Sequence, residues 1–97
     1  MEPALRGIIE KVIDEELSEE KLSSNYGVFT AFKERGLIDS VSSAMFGRVY
    51  MRAYQAWLDY KASHAEEPRP EEAVELVRIF ESRAIEIKSK ISEIASL

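Results

Sequence analysis

Apolar side chains recur every three to four residues along most of the chain, which is the spacing of one face of an α-helix. Pro3 suits a first helical turn, because the amide hydrogen that proline lacks would be unpaired there. The pattern therefore predicts an amphipathic helix over residues 4–18. Its apolar stripe consists of Leu5, Ile8, Ile9, Val12 and Ile13.

A shorter helix is expected after a turn-like stretch at residues 23–27. Val28, Phe29 and Phe32 lie on one side of this second helix, which we place at residues 26–35. Gly36 follows it and can adopt the left-handed conformation that commonly ends a helix.

The third predicted helix, residues 40–64, is apolar over most of its girth, with Asp39 or Ser40 as the candidate N-cap. A helix of this kind is usually enclosed by its neighbours. Its inward arc is expected to hold Phe46, Tyr50 and Trp57. Gly47, in mid-helix, predicts a close crossing by another helix, since glycine there has a cost of roughly 1 kcal/mol relative to alanine.

Two prolines end this third helix, and Pro70 is well placed to start a fourth over residues 70–96. Apolar residues alternate there at steps of four and three, as in a heptad seam. Such a seam is typical both of a coiled coil and of the inner face of a four-helix bundle. The seam consists of Ala73, Val77, Phe80, Ala84, Ile87, Ile91 and Ile94.

Composition supports one folded unit. The 97 residues are 45% hydrophobic and 32% charged, which is typical of a globular domain. A chain this short has a thin core. We therefore expect a single all-α domain over residues 1–97, a small four-helix bundle that dimerisation would complete.

The cellular setting is less constrained. The chain has no cysteine and no long apolar run, so it predicts a cytoplasmic protein without a membrane span. A single Asn and a single Gln beside abundant ionic residues are a bias of heat-adapted proteins.

Catalytic chemistry has little support in the sequence. His64 is the only histidine, which excludes metal sites that need several imidazoles from one chain, and we expect it to be structural or exposed. The run Glu15, Glu16, Glu19 and Glu20 lacks the features of a calcium loop and is interpreted as a solvated face. No catalytic residue, cofactor or metal site is predicted; an enzyme would need a site of Tyr, Arg and Glu with His64.

The most economical function is therefore non-enzymatic association with other proteins. The main hypothesis is self-association, as a dimer, through the fourth helix; another protein is the alternative partner. Met45, Phe46, Tyr50 and Met51 could instead line a groove for a partner helix. The predicted interface on the fourth helix comprises Val77, Phe80, Ala84, Ile87, Ile91 and Ile94.

An alternative function follows from the charge distribution. The net charge is −5, yet residues 28–64 carry +2 between acidic flanks. Arg48 and Arg52, four apart on one face, could contact nucleic-acid phosphates together with Arg35. The same arginines could equally form ion pairs within the chain, with Asp59 or with the acidic first helix. The acidic overall balance is unusual for a nucleic-acid protein.

Overall fold

The computed structural model describes residues 1–96 and contains five α-helices within them. No strand occurs in this part of the chain. The predicted all-α fold, a small helical bundle, is confirmed, although one of the four predicted helices is split in two. The helices are α1 (Pro3–Glu16), α2 (Glu19–Glu34), α3 (Val41–Ser63), α4 (Pro70–Ser82) and α5 (Ala84–Ala95).

Helix α3 lies at the centre and contacts each of the other four helices. Its most extensive contact is with α1, whose core residues have no solvent exposure. The expected inward turn of its aromatic side holds for Trp57, which is 4% exposed, while Phe46 and Tyr50 are half-buried at the edge of the core. The buried positions of α3 recur every four residues: Met45, Val49, Ala53, Trp57 and Lys61.

Helix α2 starts at Glu19, seven residues earlier than predicted, so the expected turn at residues 23–27 is helical. The hydroxyl of Ser18 caps the helix by accepting from the backbone N–H of Lys21 at 3.3 Å. Glu19 is one of two acidic residues in the first turn, where they favour the positive end of the helix dipole. Leu22 is buried in that turn. The cap and this apolar contact therefore outweigh the turn propensity of the serines and Asn25.

The predicted long fourth helix is interrupted at Arg83, whose backbone (φ −108°, ψ 6°) is not helical. The buried residues of α4 include Leu76 and Ile79, whereas Val77 on the predicted seam is 41% exposed. In α5 the buried residues do follow the seam. The buried face of α4 is thus rotated about the helix axis by about one residue, or 100°, relative to the predicted seam. A single non-helical residue lets both faces turn to the core.

The remaining boundaries follow the predicted signals. Gly36 adopts a φ of 72° after α2, as expected of a helix stop. Ser40 caps α3, with its hydroxyl accepting from the backbone N–H of Ser43 at 3.1 Å. Within residues 1–96, no helix is both long enough and apolar enough to cross a membrane.

Candidate protein interaction surface

The predicted seam of the last helix is used mainly inside the chain. Phe80, Ile87 and Ile91 are at most 5% exposed, and Ile94 is 9% exposed. Three seam residues reach the surface, since Val77 is 41% exposed and Ala73 and Ala84 are half-buried. A partner could therefore contact the edge of this seam but not its centre while the chain stays folded.

Next to that edge an open apolar groove runs between α3 and α4. We call it the α3/α4 groove. Its walls carry no charged side chain except that of Glu81. The lining residues are Phe46, Gly47, Tyr50, Val77, Phe80, Glu81 and Ala84.

Aromatic contacts build the floor of the α3/α4 groove. The ring of Phe80 meets the ring of Phe46 edge-on, with centroids 4.9 Å apart and planes at 76°. It meets Tyr50 in the same way, at 5.2 Å and 78°. Edge-to-face packing is a favourable geometry for aromatic rings. These three residues therefore join α3 to α4 and fix the position of the groove.

Gly47 leaves the α3/α4 groove open. A Cβ atom added to Gly47 would meet no atom of another described element within 4 Å, so none of the five helices crosses close to this residue. The predicted close crossing is therefore wrong. The missing side chain instead contributes empty space above the aromatic floor.

A second depression continues the groove towards the start of α3 and shares Phe46 and Ala84 with it. Here the walls are more polar, because several serines and Lys88 contribute to them. The ammonium of Lys88 lies 5.9 Å from the centroid of the Phe46 ring, within the range of a cation–π contact. An apolar centre with a polar rim is the usual anatomy of a protein interface.

Exposed apolar residues flank the groove on both helices. On α3, Met51 is 55% exposed, while Met45 is buried in the core. On α4 Val74 is 51% exposed, while Ile85, which is 85% exposed, lies on α5 and lines a different depression. The sequence-based hypothesis of a groove lined by Met45, Phe46, Tyr50 and Met51 thus has two of its four residues in the groove.

The arginines proposed for phosphate contact lie at the surface. Arg48 and Arg35 are exposed and form no ion pair among residues 1–96. Arg52 is partly engaged, since its Nε lies 3.8 Å from the carboxylate of Glu16. Glu16 is only 4% exposed, and its second carboxylate oxygen has no hydrogen-bond partner in the part of the chain that the structure describes. The charge of Arg52 therefore partly offsets that of a buried acid on α1, as the ion-pair interpretation expected.

His64 is the C-cap residue of α3 and is exposed. Its ring stacks on that of Tyr60 with centroids 4.0 Å apart. Its Nδ1 lies 2.9 Å from the carbonyl oxygen of Tyr60 and 3.0 Å from the hydroxyl of Ser63. These contacts with its own helix account for the position of the ring.

Sequence analysis missed a buried lysine that joins α3 to the start of α4. Lys61 is 4% exposed, and its ammonium donates to Glu66 at 2.9 Å and approaches Glu72 at 2.8 Å. The four-residue spacing from Trp57 to Lys61 was a signal that could have revealed its burial.

The ion pair between Lys61 and Glu72 shifts the pKa values of both residues. Hydrogen bonds to Glu72 and then to Glu66 raise the pKa of Lys61 above its ordinary value. Burial raises the pKa of Glu72, but hydrogen bonds from Lys61 and from the backbone N–H of Arg69 outweigh burial, so the pKa is lowered. Both shifts favour the charged forms of the pair.

At the other end of α4, Arg83 links the helix break to α1. Its guanidinium donates to the Glu10 carboxylate at 3.3 Å, to Asp14 at 2.5 Å and to Glu86 at 3.0 Å. The bonds to Glu86 and then to Asp14 raise the pKa of Arg83, although burial acts in the opposite direction. The rigid fork of an arginine can bind several carboxylates in this way.

Residues 1–96 contain no cluster of acidic or histidine side chains arranged to hold a metal ion. Comparison with known proteins finds no match to a protein family, to a characterised protein or to a solved structure. The candidate site is therefore defined by its own geometry, an apolar groove with exposed apolar side chains along its edge.

Proposed function

We propose that the chain is a non-enzymatic protein–protein interaction module that forms a homodimer. The observation that carries this proposal is the open α3/α4 groove, which Val77 lines. When another protein covers a cluster of aliphatic and aromatic groups that is exposed to water, the free energy of the system falls, which favours association. A cytoplasmic location and a heat-adapted source stay predictions from composition.

Self-association is tested by sedimentation velocity across a wide protein concentration range. We expect the mass to rise from monomer to dimer with concentration, because association follows mass action. A monomer at every concentration would reject the homodimer.

A matched pair of variants tests whether the groove edge takes part. Val77→Asp places a charge at the groove, whereas Ile8→Asp places one on α1 at an almost equal exposure of 40%. We expect Val77→Asp to weaken the dimer and Ile8→Asp to leave it unchanged. Equal effects of the two variants would exclude the groove edge as part of the interface.

Nucleic-acid binding is a second candidate function, favoured by the exposed side chains of Arg35 and Arg48, which have no ion-pair partner among residues 1–96. If it is correct, single-stranded RNA should bind at low salt and dissociate steeply as salt rises. Arg48→Glu should then weaken binding more than Lys11→Glu, a charge reversal of an exposed residue on α1. No binding at low salt, or equal losses in both variants, would reject this function.

A further inference from the structure

The outer face of α4 and α5, opposite their buried residues, carries an exposed apolar side chain between two opposite charges. Ile85 is more exposed, at 85%, than any other large hydrophobic residue among residues 1–96. Lys88 lies three residues after it on α5, a spacing that shares a helix face, and Glu81, an exposed residue of α4, lies four residues before it across the break at Arg83. The backbone N–H of Ile87 donates to the carbonyl of Arg83 at 2.9 Å, so helical hydrogen bonding resumes directly after the break.

Two further charged residues, Arg78 and Glu93, extend this face, one on each side of Ile85. Arg78 lies seven residues before Ile85, and Glu93 lines a shallow depression together with Ile85 and Lys88. All four charged residues on this face are exposed. None of them forms an ion pair among residues 1–96. The charges therefore read positive, negative, apolar, positive, negative along the helix axis.

This order of charges selects one way of pairing two copies. We propose that the outer face of α4 and α5 pairs antiparallel with that of a second copy, about a two-fold axis close to Ile85. Residues at equal distances from a two-fold axis on opposite sides face each other. Glu81 then meets Lys88 of the second copy, and Arg78 meets Glu93 of the second copy. In a parallel arrangement each charged residue would instead face the identical residue of the second copy, so that like charges would meet.

The inference rests on the proposed homodimer and names its interface. A dimer interface of ordinary size covers about 800 Å² on each partner, which is roughly an eighth of the 6242 Å² surface of this protomer. Val74 and Val77, both partly exposed, continue the apolar surface from Ile85 towards the α3/α4 groove. The new interface is thus continuous with the groove edge.

Charge reversal tests the register of this pairing. Glu81→Lys and Lys88→Glu should each raise the dissociation constant by about tenfold or more, because like charges then face each other twice. The double variant should regain the affinity of the unaltered chain. An equimolar mixture of the two single variants should form heterodimers, since each chain then offers the charge that the other needs. A double variant as weak as the single ones would overturn the register.

Two controls separate charge from other effects. Lys88→Gln removes the charge and the contact with the Phe46 ring without creating repulsion, so it should weaken the dimer less than Lys88→Glu. Lys11→Glu reverses a charge on α1 and should have no effect. Circular dichroism should show the same helical content in all variants, because the altered side chains are exposed.

Ile85→Asp distinguishes failure of this interface from failure of the proposed function. We expect it to yield folded monomers, whereas Leu37→Asp, at a residue 65% exposed after α2, should remain dimeric. A dimeric Ile85→Asp variant would overturn this interface and leave self-association standing. If the unaltered chain is monomeric at every concentration, both the interface and the homodimer are rejected.

Discussion

The two sides of helix α3 differ in how completely they are covered. On the side of α1, Leu5, Ile9 and Ile13 have no solvent exposure. On the side of α4, Val77 is 41% exposed, and no atom lies close to the place where a side chain on Gly47 would be. Both sides of α3 are apolar in sequence. The comparison shows that an apolar helix face can be sealed by a neighbour or left partly open for one.

Ion pairs connect both ends of α4 to neighbouring helices. Lys61 binds Glu72 in the first turn of α4, and Arg83 at its C-cap binds Glu10 and Asp14 of α1. Between these two ties the α3/α4 groove lies beside the middle and the end of the helix. Ion pairs at both ends therefore supplement the apolar packing of α4, which is incomplete at the groove.

The largest contrast is expected from truncating one aliphatic residue on each side. Ile9→Ala should lower the free energy of unfolding by about 3 to 4 kcal/mol, because it leaves a cavity in the sealed side. Val77→Ala should lower it by less than about 1 kcal/mol, since much of that side chain is already in water. Urea unfolding followed by the fluorescence of Trp57 measures both. Similar losses would contradict the contrast between the sides.

Breaking the Arg83 tie should have the next largest effect. Arg83→Met keeps the aliphatic stem but loses the guanidinium, and we expect a loss of about 1 to 2 kcal/mol, because several charged hydrogen bonds disappear. Arg83→Lys should fall in between, as it keeps the charge without the fork.

Thermal denaturation monitored by circular dichroism checks these losses. Arg78→Met, on the exposed face of α4, is the control and should change stability by about 0.5 kcal/mol at most. If Arg83→Met were as neutral as this control, the tie would not stabilise the fold.

The ion pair between Lys61 and Glu72 should make the stability of the fold depend on pH. The pKa of Glu72 is lowered from 4.5, so its contribution is present above that pH and is lost as the pH falls through the lowered value. The pKa of Lys61 is raised from 10.5, so its contribution is present below that pH and is lost as the pH rises through the raised value. The tie therefore stabilises the fold fully between pH 4.5 and pH 10.5.

Glu72→Gln tests this window. Urea unfolding of both chains at several pH values should show a stability difference that is constant inside the window and shrinks in acid below it. We expect the difference to be smaller than that caused by Ile9→Ala. A difference that persists unchanged at about pH 2 to 3, well below the ordinary pKa of 4.5, would show that the charge of Glu72 is not its origin.

The smallest expected effect comes from adding a methyl group at Gly47, which tests how open the α3/α4 groove is. Gly47→Ala should raise the free energy of unfolding by about 0.5 to 1 kcal/mol, because alanine favours the helix and the added methyl group meets nothing. Gly27→Ala, in the middle of α2 and equally free of contacts, should stabilise the chain by the same amount. Only Gly47→Ala should also change dimer affinity, as it narrows the groove. A destabilised Gly47→Ala variant would show that a helix does approach there.

Some elements of the fold could be predicted because their signals are local. The start of α3 at Ser40 and the stop at Gly36 depend on a cap and on a left-handed residue, which only near neighbours influence. The start of α2 was missed because the cap at Ser18 competed with turn-forming residues, and the burial of Leu22, which supports the helix, depends on packing against distant residues. The break at Arg83 was missed because the residues that Arg83 binds, Glu10 and Asp14, lie on α1, far away in sequence.

The candidate site divides in the same way. Phe46 and Tyr50 were recognised as apolar residues of α3, but the sequence assigned them both to a closed core and, alternatively, to a groove. Lys61 was not singled out in the sequence, although it continues the buried row of α3. Its burial requires Glu66 and Glu72, which the chain brings back only after the loop between α3 and α4.

The sequence by itself determined that the chain is helical and where most of its helices lie, because helical periodicity and capping act over a few residues. Only the tertiary structure decided which apolar faces are covered, since coverage depends on how far apart the helices lie. It buried most of the predicted seam of the last helix and left Ile85 and the α3/α4 groove in water. The physical reason is that a helix has more apolar girth here than its neighbours can enclose.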